Sequence, residues 1–464
     1  MPFALKFLWT DRLIFLLIGL VIVFAVYAVR HEHLRAPWRQ VVRRPLAMAA
    51  LVVLLVYVVT GVLDSMHFHE RLPGETQPAQ YSAEVTSVLD KLTTPLRVRG
   101  ERTYSAPFAM HAYQKETVEH RDGTRTREYP RLIHGGIHLK DPAERAGDIA
   151  RRVGSATAIT TGIWLLTVAG FVLLRRRQGE PFAAAWGRLW RGEEPVPWRT
   201  ILVTVGLLLV LGVNAGYLSL YYHIFGTDQV GQDVFYRSLK SVRTGLVIGT
   251  VTTLVMLPFA LVLGVMAGYF RGWIDDVIQY LYTTLSSIPG VLLIAAVILS
   301  LQVYMATHPE SFDNVERADT RLLFLCLILG VTSWTGLCRL LRGETLKLRE
   351  IDYIESARAL GVHSARIMTR HLFPNVMHIV LITVVLDFSG LVLAEAVLSY
   401  VGVGVDPSMD SWGNMINGAR LEMAREPMVW WSLAAAFVFM FALVLAANLF
   451  ADAVRDAFDP RLRR

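Results

Sequence analysis

The sequence predicts an all-α polytopic membrane protein, and three observations support this fold class. Hydrophobic residues make up 53% of the 464 residues, and the mean hydropathy of +0.42 is high for a soluble protein. Several apolar runs reach the length of about 20 residues that a helix needs to cross a bilayer. Short basic stretches separate these runs, which is typical of loops on the cytoplasmic side of a membrane.

The charge and the cysteines exclude two other classes of protein. The net charge of +7 invites a nucleic-acid interpretation, but the excess lies in short loops between apolar runs, where it sets the orientation of the spans. We therefore expect a lipid bilayer and no nucleic acid as the partner. Cys326 and Cys338 lie twelve residues apart in one apolar run. One straight helix would separate them by about 18 Å, too far for a disulfide.

The N-terminal part of the chain contains three apolar runs of span length, at residues 13–29, 46–63 and 156–174. The heavier positive charge follows the first run, the reverse of the arrangement in a signal peptide. We therefore predict a first span with an external N-terminus, and a cleaved signal peptide remains the alternative. Between the third run and residue 199, tryptophans alternate with arginines, which favours an amphipathic segment at the membrane interface.

Residues 64–152 have no run long enough to cross a membrane, and they predict a small folded extracytoplasmic insert. Six histidines lie in this insert: His67, His69, His111, His120, His134 and His138. Their spacing matches no established ligand pattern, and no cysteine accompanies them. We therefore predict no metal site and no cofactor bound by this chain.

A polar, arginine-rich segment lies between two apolar runs at residues 355–375. The basic residues alone would follow from the charge bias of cytoplasmic loops. That bias does not explain Glu355, Ala357 and Gly361 at spacings of two and four residues. The pattern predicts a short helix, a turn at Gly361 and a second helix. Pro374 opens the next apolar run, where proline is tolerated because the first helical amides have no intrahelical partner.

This segment resembles the EAA loop of the membrane subunits of ABC importers, which docks on an ATPase subunit. Ser356 replaces the usual second residue of the motif, and Phe373 replaces the leucine before the proline. The resemblance implies a type I importer permease whose ATPase-coupling loop lies near residues 342–374. The implied coupling residues are Glu355, Ser356, Ala357, Gly361, Phe373 and Pro374.

Further motifs resemble the dipeptide, oligopeptide and nickel subfamily of these importers. The string GTDQVGQD at residues 226–233 is similar to the subfamily's GTDxxGRD signature, with Gln232 at the arginine position. An SWG element precedes the last span, and the chain ends in DPRLR followed by arginine. Taken alone, the glycines and aspartates are turn formers. The implied external signature residues are Gly226, Thr227, Asp228, Gly231, Asp233, Trp412 and Gly413.

The resemblance covers about residues 200–464 and implies a six-span permease core. The core follows two extra spans at 1–63, the insert at 64–152, and a third extra span with a cytoplasmic linker at 153–199. The six predicted spans are 201–222, 241–270, 275–303, 321–341, 374–401 and 428–450.

Several residues of this core are candidates for packing or for the translocation pathway. Gly264 and Gly268 have the small-xxx-small spacing that permits close helix packing. Pro289 predicts a kink in the third core span. Asp387 and Glu395 are ionisable groups at membrane depth, about 80° apart around one helix, so both could face the bundle interior.

The predicted function is that of a permease subunit without catalytic activity. No lysine follows a glycine, so the chain has no GxxxxGK[ST] phosphate loop. The resemblance therefore implies two partner ATPase subunits that use ATP and Mg, a second homologous permease and an external substrate-binding protein. It also implies the bacterial cytoplasmic (inner) membrane, with peptides as the commonest cargo and nickel as an alternative. An ion-coupled secondary transporter using Asp387 and Glu395 is the other hypothesis. The role of the insert and the choice between homo- and heterodimeric pairing stay open.

Overall fold

The computed structural model describes residues 3–71, 81–119, 125–175, 180–308 and 314–458, and nine helices within these ranges are long and apolar enough to cross a membrane. This confirms the predicted fold class. The nine spans are Trp9–Arg30, Pro45–Asp64, Pro142–Arg175, Trp198–Ser219, Val234–Phe270, Gly290–Thr307, Val315–Arg349, Ser364–Tyr400 and Trp431–Phe458.

The described elements are numbered in chain order. The strands are β1 (Phe3–Lys6), β2 (His67–Arg71), β3 (Tyr81–Ser87), β4 (Glu116–Glu119) and β5 (Arg125–Glu128). The helices up to the first core span are α1 (Trp9–Arg30), α2 (Glu32–Arg43), α3 (Pro45–Asp64), α4 (Val88–Leu92), α5 (Thr94–Val98), α6 (Arg145–Arg175), α7 (Phe182–Arg191) and α8 (Trp198–Ser219). The remaining helices are α9 (Val234–Phe270), α10 (Trp273–Ser287), α11 (Gly290–Thr307), α12 (Asn314–Arg349), α13 (Asp352–Ala359), α14 (Ser364–Ile367), α15 (Phe373–Tyr400), α16 (Trp412–Glu422) and α17 (Trp431–Phe458).

The chain divides into two compact units. The first comprises residues 1–5, 39–243 and 410–450, and the second comprises 6–38, 244–409 and 451–464. Each unit therefore combines part of the predicted permease core with part of the N-terminal extension.

In the first unit, the first core span packs on two of the extra helices. Helix α8 contacts α6 and α3. The indole of Trp164 on α6 occupies the space where Gly206 on α8 has no side chain, since a Cβ there would lie 2.6 Å from the ring. The indole nitrogen of Trp164 also donates to the backbone oxygen of Leu202 at 3.1 Å. The extra helices are thus part of the packed core of this unit.

The insert is a small mixed structure whose strand and helix content the sequence had left open. Strands β1, β2 and β3 form one sheet in that order, and β4 and β5 form a separate antiparallel hairpin. Strand β1 precedes the first span and pairs with β2, which follows the second span. This pairing agrees with an N-terminus on the same side of the membrane as the insert. His120, one of the six histidines of the insert, lies outside the described residues.

In the second unit, the first helix is also integrated into the core. Ile14 of α1 packs in a buried cluster with Leu322 and Leu325 of α12. The backbone amide of Thr10 donates to Asp319 at 3.2 Å, and its hydroxyl donates to the same carboxylate. Helix α1 therefore packs on the fourth core span.

The predicted close packing at Gly264 and Gly268 is confirmed. A Cβ at Gly264 would lie 2.8 Å from Cβ of Leu341, and one at Gly268 would lie 2.6 Å from Cβ of Thr345. Both glycines are on α9 and both contacts are on α12. The missing side chains let the two backbones approach each other closely.

Two predicted elements differ from the structure. The third core span is not one kinked helix, because α10 ends at Ser287 and α11 begins at Gly290 after Pro289. Proline has no amide hydrogen for the helical ladder, and it disfavours the helical region for the residue before it. The basic segment expected as a loop between the first two spans is helix α2, with Pro37 inside it.

Candidate functional site

The coupling segment has the predicted helix, turn and second helix. Helix α13 ends at Ala359, and Gly361 follows with φ of +75°. The amide of Val362 donates to the oxygen of Ala357 at 3.1 Å across this turn. Such a left-handed residue after a helix closes its last carbonyl groups, and glycine adopts it without steric strain. The structure therefore gives Gly361 a conformational role.

Three buried side chains anchor the coupling segment in the apolar core of the second unit, to which the segment itself belongs. Ile354, Ile367 and Leu372 are each 1% exposed or less, and they pack in one cluster with Leu341 and Tyr269. Ile354 lies on α13, whereas Ile367 and Leu372 lie on the helical stretch that follows. Both parts of the segment therefore contact the same apolar core. The segment is therefore held as a rigid element.

The opposite face of the same segment is exposed and contains most of the motif. Glu355, Ser356 and Gly361 are exposed, and Leu360 beside them is 83% exposed. Ala357 is half-buried against the core. This face is the candidate docking site.

The second helix of the segment runs into the fifth core span without a break in the chain. A π-helical turn, Met368–Leu372, joins α14 to α15. Phe373 and Pro374 occupy the first positions of α15, as the sequence predicted for the proline. The side-chain Nδ2 of Asn375 donates to the hydroxyl of Tyr353 at 3.0 Å, which ties α15 back to α13.

The signature residues between 226 and 233 form one hydrogen-bonded turn. Thr227 and Asp233 are joined by an isolated antiparallel bridge. The carboxylate of Asp228 accepts from the amides of Val230 at 3.0 Å and Gln232 at 2.9 Å. Asp233 caps the start of α9 by accepting from the amides of Phe235 and Tyr236. The aspartates thus organise the loop, beyond the general turn preference of their residue type.

The insert packs directly on two of the three signature glycines. Gly226 has φ of +66° and Gly231 has φ of +77°. A Cβ at Gly226 would lie 2.2 Å from the oxygen of Ser105, and one at Gly231 would lie 1.8 Å from the oxygen of Glu101. Both sites therefore require glycine for conformation and for the close approach of the insert backbone.

Salt bridges from the start of α9 hold the GTDQVGQD loop. Arg237, in the first turn of α9, donates to Asp228 at 2.6 Å and to Asp410 at 3.0 Å. Trp412 lies just after Asp410, and its indole donates to the oxygen of Ser238 at 3.2 Å. These bonds bring the GTDQVGQD loop and the SWG element together, with Gly413 buried at the start of α16.

A buried histidine joins the insert to the same loop. His223 is 4% exposed, with Nδ1 2.7 Å from Asp233 and Nε2 3.3 Å from Glu101. Burial by itself would lower the pKa of His223, but the two carboxylates raise it to about 9. The imidazole is therefore protonated at neutral pH and donates through both nitrogens.

Glu101 has further donors that explain its burial. Its carboxylate accepts from the amides of Ile133 at 2.7 Å, His134 at 2.8 Å and Gly135 at 3.1 Å. Burial would raise the pKa of Glu101, and these bonds together with His223 lower it below its ordinary range. The backbone of residues 133–135 of the insert therefore wraps the carboxylate of Glu101 with three hydrogen-bond donors.

A second buried cation joins the insert to the start of α9. Lys240 lies 2.8 Å from Asp64 and 3.0 Å from Asp90, and Tyr236 donates to Asp90 at 2.6 Å. Burial would raise the pKa of Asp90, but Lys240 and these hydrogen bonds lower it to about 2. Lys240 and Tyr236 in the first two turns of α9 thus hold the end of α3 and the start of α4 through polar contacts.

Sequence reasoning missed the residues that make these contacts: Asp64, Asp90, Glu101, His223, Arg237, Lys240 and Asp410. The sequence does contain one signal. Arg237 and Lys240 stand three residues apart at the start of an apolar span, where an unpaired cation would be unfavourable. Apart from Asp228, which lies nine residues before Arg237, their carboxylate partners come from distant parts of the chain, so only the fold identifies them.

The intramembrane candidates differ in their surroundings. Glu395 is 2% exposed, and its carboxylate accepts from the hydroxyl of Ser399 at 2.8 Å. Asp387 is half-buried, on the same helix α15. The structure therefore supports a packing role for Glu395, while a pathway role for Asp387 and Pro289 remains a prediction.

Two of the described histidines of the insert have hydrogen-bond partners within the protein. His69 contacts the oxygen of Ser82 at 2.8 Å, and His138 contacts Asp148 at 2.8 Å. Among the residues that the structure describes, no three histidine, cysteine or acidic side chains are grouped closely enough to hold a metal ion.

Comparison with known proteins gives consistent similarities. Residues 260–464 match the family model described as "Binding-protein-dependent transport system inner membrane component". The chain is 34% identical over 243 residues to the glutathione transport system permease protein GsiD of Pectobacterium atrosepticum, which covers 52% of this chain and 73% of that protein.

Two further relatives have similar coverage. The oligopeptide transport system permease protein OppC of Mycobacterium tuberculosis is 32% identical over 241 residues, 52% of this chain and 77% of that protein. The dipeptide transport system permease protein DppC of Bacillus subtilis is 30% identical over 242 residues, 52% of this chain and 70% of that protein. In each comparison, about half of the present chain lies outside the match.

Proposed function

Because the chain belongs to the family of binding-protein-dependent transport system inner membrane components, we propose that it forms the translocation pathway of an ATP-driven importer together with a second permease. The chain is a multi-pass permease of the bacterial inner membrane. Two separate ATPase subunits would bind ATP and Mg, and an external binding protein would deliver the cargo. Hydrolysis would take place on the ATPases, since this sequence has no phosphate loop of the GxxxxGK[ST] type.

The observation that carries this proposal is the exposed face of α13. Glu355, Ser356 and Leu360 project from a helix that Ile354 anchors in the core. A short rigid helix with one buried and one exposed face suits docking into a groove of a partner. Since α12 and α15 flank this helix in the chain, a movement of the ATPase would act on both spans.

The cargo that we propose is a peptide. The matched relatives are named for the transport of glutathione, oligopeptides and dipeptides, and these are peptides or peptide-like solutes with free carboxylates. A nickel complex is the alternative. The fold itself does not choose between cargoes, because the binding protein makes the first selection.

Gly361 offers a test of the coupling role. We expect the tagged wild-type chain, purified from native membranes in mild detergent, to recover ATPase subunits and a second permease. Gly361→Val should lose the ATPases and keep the permease, since a β-branched residue is strongly disfavoured at φ of +75°. Gly361→Asn is the matched control, because asparagine adopts this conformation more readily.

Mass spectrometry of the recovered proteins distinguishes the outcomes. Recovery of the ATPases with Gly361→Asn and their loss with Gly361→Val supports docking on α13. Wild-type chain that recovers no ATPase in several mild detergents contradicts the proposal.

A further inference from the structure

A cavity of about 400 Å³ lies between α11, α12 and the loop after α15, all within the second unit. Its lining residues are Gln302, Met305, Arg317, Arg321, Asp406 and Ser408. Two of these six side chains are cationic and one is acidic. Because α12 leads at its other end into the coupling segment, this end of the helix belongs to the external side of the proposed topology.

The two arginines occupy positions at which cations are normally unfavourable. Arg317 and Arg321 lie four residues apart, on one face of α12 and within its first eight residues. Like charges at this spacing repel each other, and cations near a helix N-terminus oppose the helix dipole. An anion in the cavity would remove both penalties.

Asp406 and Gln302 hold the side chain of Arg321 in place, but one hydrogen-bond donor of its guanidinium has no described acceptor. Its side chain is 8% exposed, and Nη1 lies 3.5 Å from the carboxylate of Asp406. The oxygen of Gln302, when its amide faces the guanidinium, accepts from Nη1 at 2.8 Å and from Nη2 at 2.7 Å. In the described part of the chain, the buried Nε atom has no acceptor. A buried donor without an acceptor is unfavourable, so the guanidinium can donate to one more oxygen of a ligand.

Arg317 lies one turn away and has more freedom. It is half-buried at the wall of the cavity, and no described carboxylate lies within salt-bridge distance of it. The neighbouring acids of α12 have other partners, since Glu316 pairs with Lys6 at 3.0 Å and Asp319 accepts from Thr10. Among the described residues, Asp406 balances one arginine, and the cavity therefore keeps one positive charge without a described counter-charge.

We propose that this cavity is a binding site for a single carboxylate, namely the C-terminal carboxylate of the transported peptide. A planar guanidinium matches the two oxygens of a carboxylate. The half-buried Gln302 supplies a neutral polar group, while buried Met305 forms an apolar wall. The identity of the ligand as cargo rests on the proposed function, whereas the recognition of a carboxylate follows from the cavity alone.

The test measures binding to the full-length chain in lipid nanodiscs, with no ATPase present. By calorimetric titration, we expect tri-alanine to bind about tenfold more tightly than tri-alanine amide, the difference of one charge-assisted hydrogen bond or more. Arg317→Gln should remove this preference without affecting the fold, because the arginine makes no ion pair with a described residue. Arg102→Gln is the matched control, since Arg102 is an exposed arginine of the insert.

Each outcome decides the proposal. A preference for the free carboxylate that Arg317→Gln removes and Arg102→Gln keeps supports the site. Equal affinity for the two peptides, no measurable binding of either, or a preference unchanged by Arg317→Gln overturns it. The proposed coupling to ATPases fails separately, in the co-purification of the Gly361 variants.

Discussion

The buried imidazole of His223 lies between two carboxylates, and its proton links the insert to the signature loop. Protonated His223 donates to Asp233 and to Glu101, which come from the core and from the insert. Loss of the proton would remove one donor and leave two buried carboxylates close together. The contact is therefore sensitive to alkaline pH rather than to mild acid.

The pH dependence of stability should report this contact. The pKa of His223 is raised from 6.5 to about 9, so its stabilisation is fully present below about pH 6.5 and is lost as the pH rises through about 9. The rise corresponds to about 3 kcal/mol at most. We expect the thermal stability of His223→Gln to be lower than wild type at pH 6.5 and to converge with it near pH 10.

Thermal unfolding of the purified chain in detergent, followed across this pH range, measures the effect. His308→Gln is the matched control, because His308 is exposed, and its curve should follow wild type. Parallel curves for wild type and His223→Gln at all pH values would show that the imidazole does not stabilise the fold through its charge.

The substitution Gly268→Ala adds one methyl group and tests the close contact between α9 and α12. A Cβ at this position would lie 2.6 Å from Cβ of Thr345 and 2.8 Å from the oxygen of Arg342. We expect Gly268→Ala to destabilise the chain by about 1–3 kcal/mol, the usual range for overpacking. Chemical or thermal unfolding in detergent measures this.

Gly343→Ala is the control for Gly268→Ala, because Gly343 is on α12 and a Cβ there has no described atom within 4 Å. Alanine is the better helix former of the two residues, so this variant should be as stable as wild type or slightly more stable. Equal stability of both variants would mean that the helices can separate at Gly268 without loss.

At the scale of elements, the insert and the signature loop form one packed structure. The amide of Glu101 donates to the oxygen of Gly231 at 2.8 Å, and the amide of Thr227 donates to the oxygen of Ser105 at 3.1 Å. Thr227 also donates through its hydroxyl to the oxygen of Thr103 at 2.8 Å. These hydrogen bonds bring the insert backbone so close to the loop that Gly226 and Gly231 have no space for a side chain.

Substitution of Gly231 should therefore loosen the insert. We expect Gly231→Ala to raise amide hydrogen exchange in residues 99–105, since the new Cβ would lie 1.8 Å from the oxygen of Glu101 and one backbone must move. Gly216→Ala, on the nearby helix α8, has no described atom within 4 Å of its Cβ and should leave exchange unchanged. Unchanged exchange in both variants would contradict the packing of the insert on the loop.

The sequence predicted the helical elements well where a local signal exists. Gly361 and Pro374 define the coupling segment through backbone preferences that any chain shares, and the structure has both where they were expected. The break before Pro289 is sharper than the kink that was predicted. The extent of a break depends on the neighbouring helices as well as on the proline.

Contacts between distant residues could not be predicted in this way. Arg237 and Lys240 are visible as cations at a span boundary, but their partners Asp410 and Asp64 lie more than 170 residues away. The strands of the insert were equally hidden, because β2 and β3 are short and their exposed and buried residues do not alternate regularly. The local sequence pattern therefore predicts the membrane spans. The structure of the insert and of the signature loop depends instead on contacts between residues that are distant in the sequence.

At the scale of the whole molecule, the N-terminal extension is built into the permease rather than attached beside it. In one unit α8 packs on α3 and α6, and in the other α1 packs on α12. About half of the chain lies outside the match to each curated relative described above. The extra spans and the insert therefore modify a shared importer core.

The most direct test of the account is uptake by the complete transporter, co-purified through this chain and reconstituted in proteoliposomes with its binding protein. We predict that a labelled peptide accumulates only with ATP and Mg on the side of the ATPases, and that Gly361→Val abolishes accumulation. Uptake should be unaffected by collapse of the proton and sodium gradients. Accumulation that an ion gradient drives without ATP, and that Asp387→Asn abolishes, would contradict the account and favour the secondary transporter.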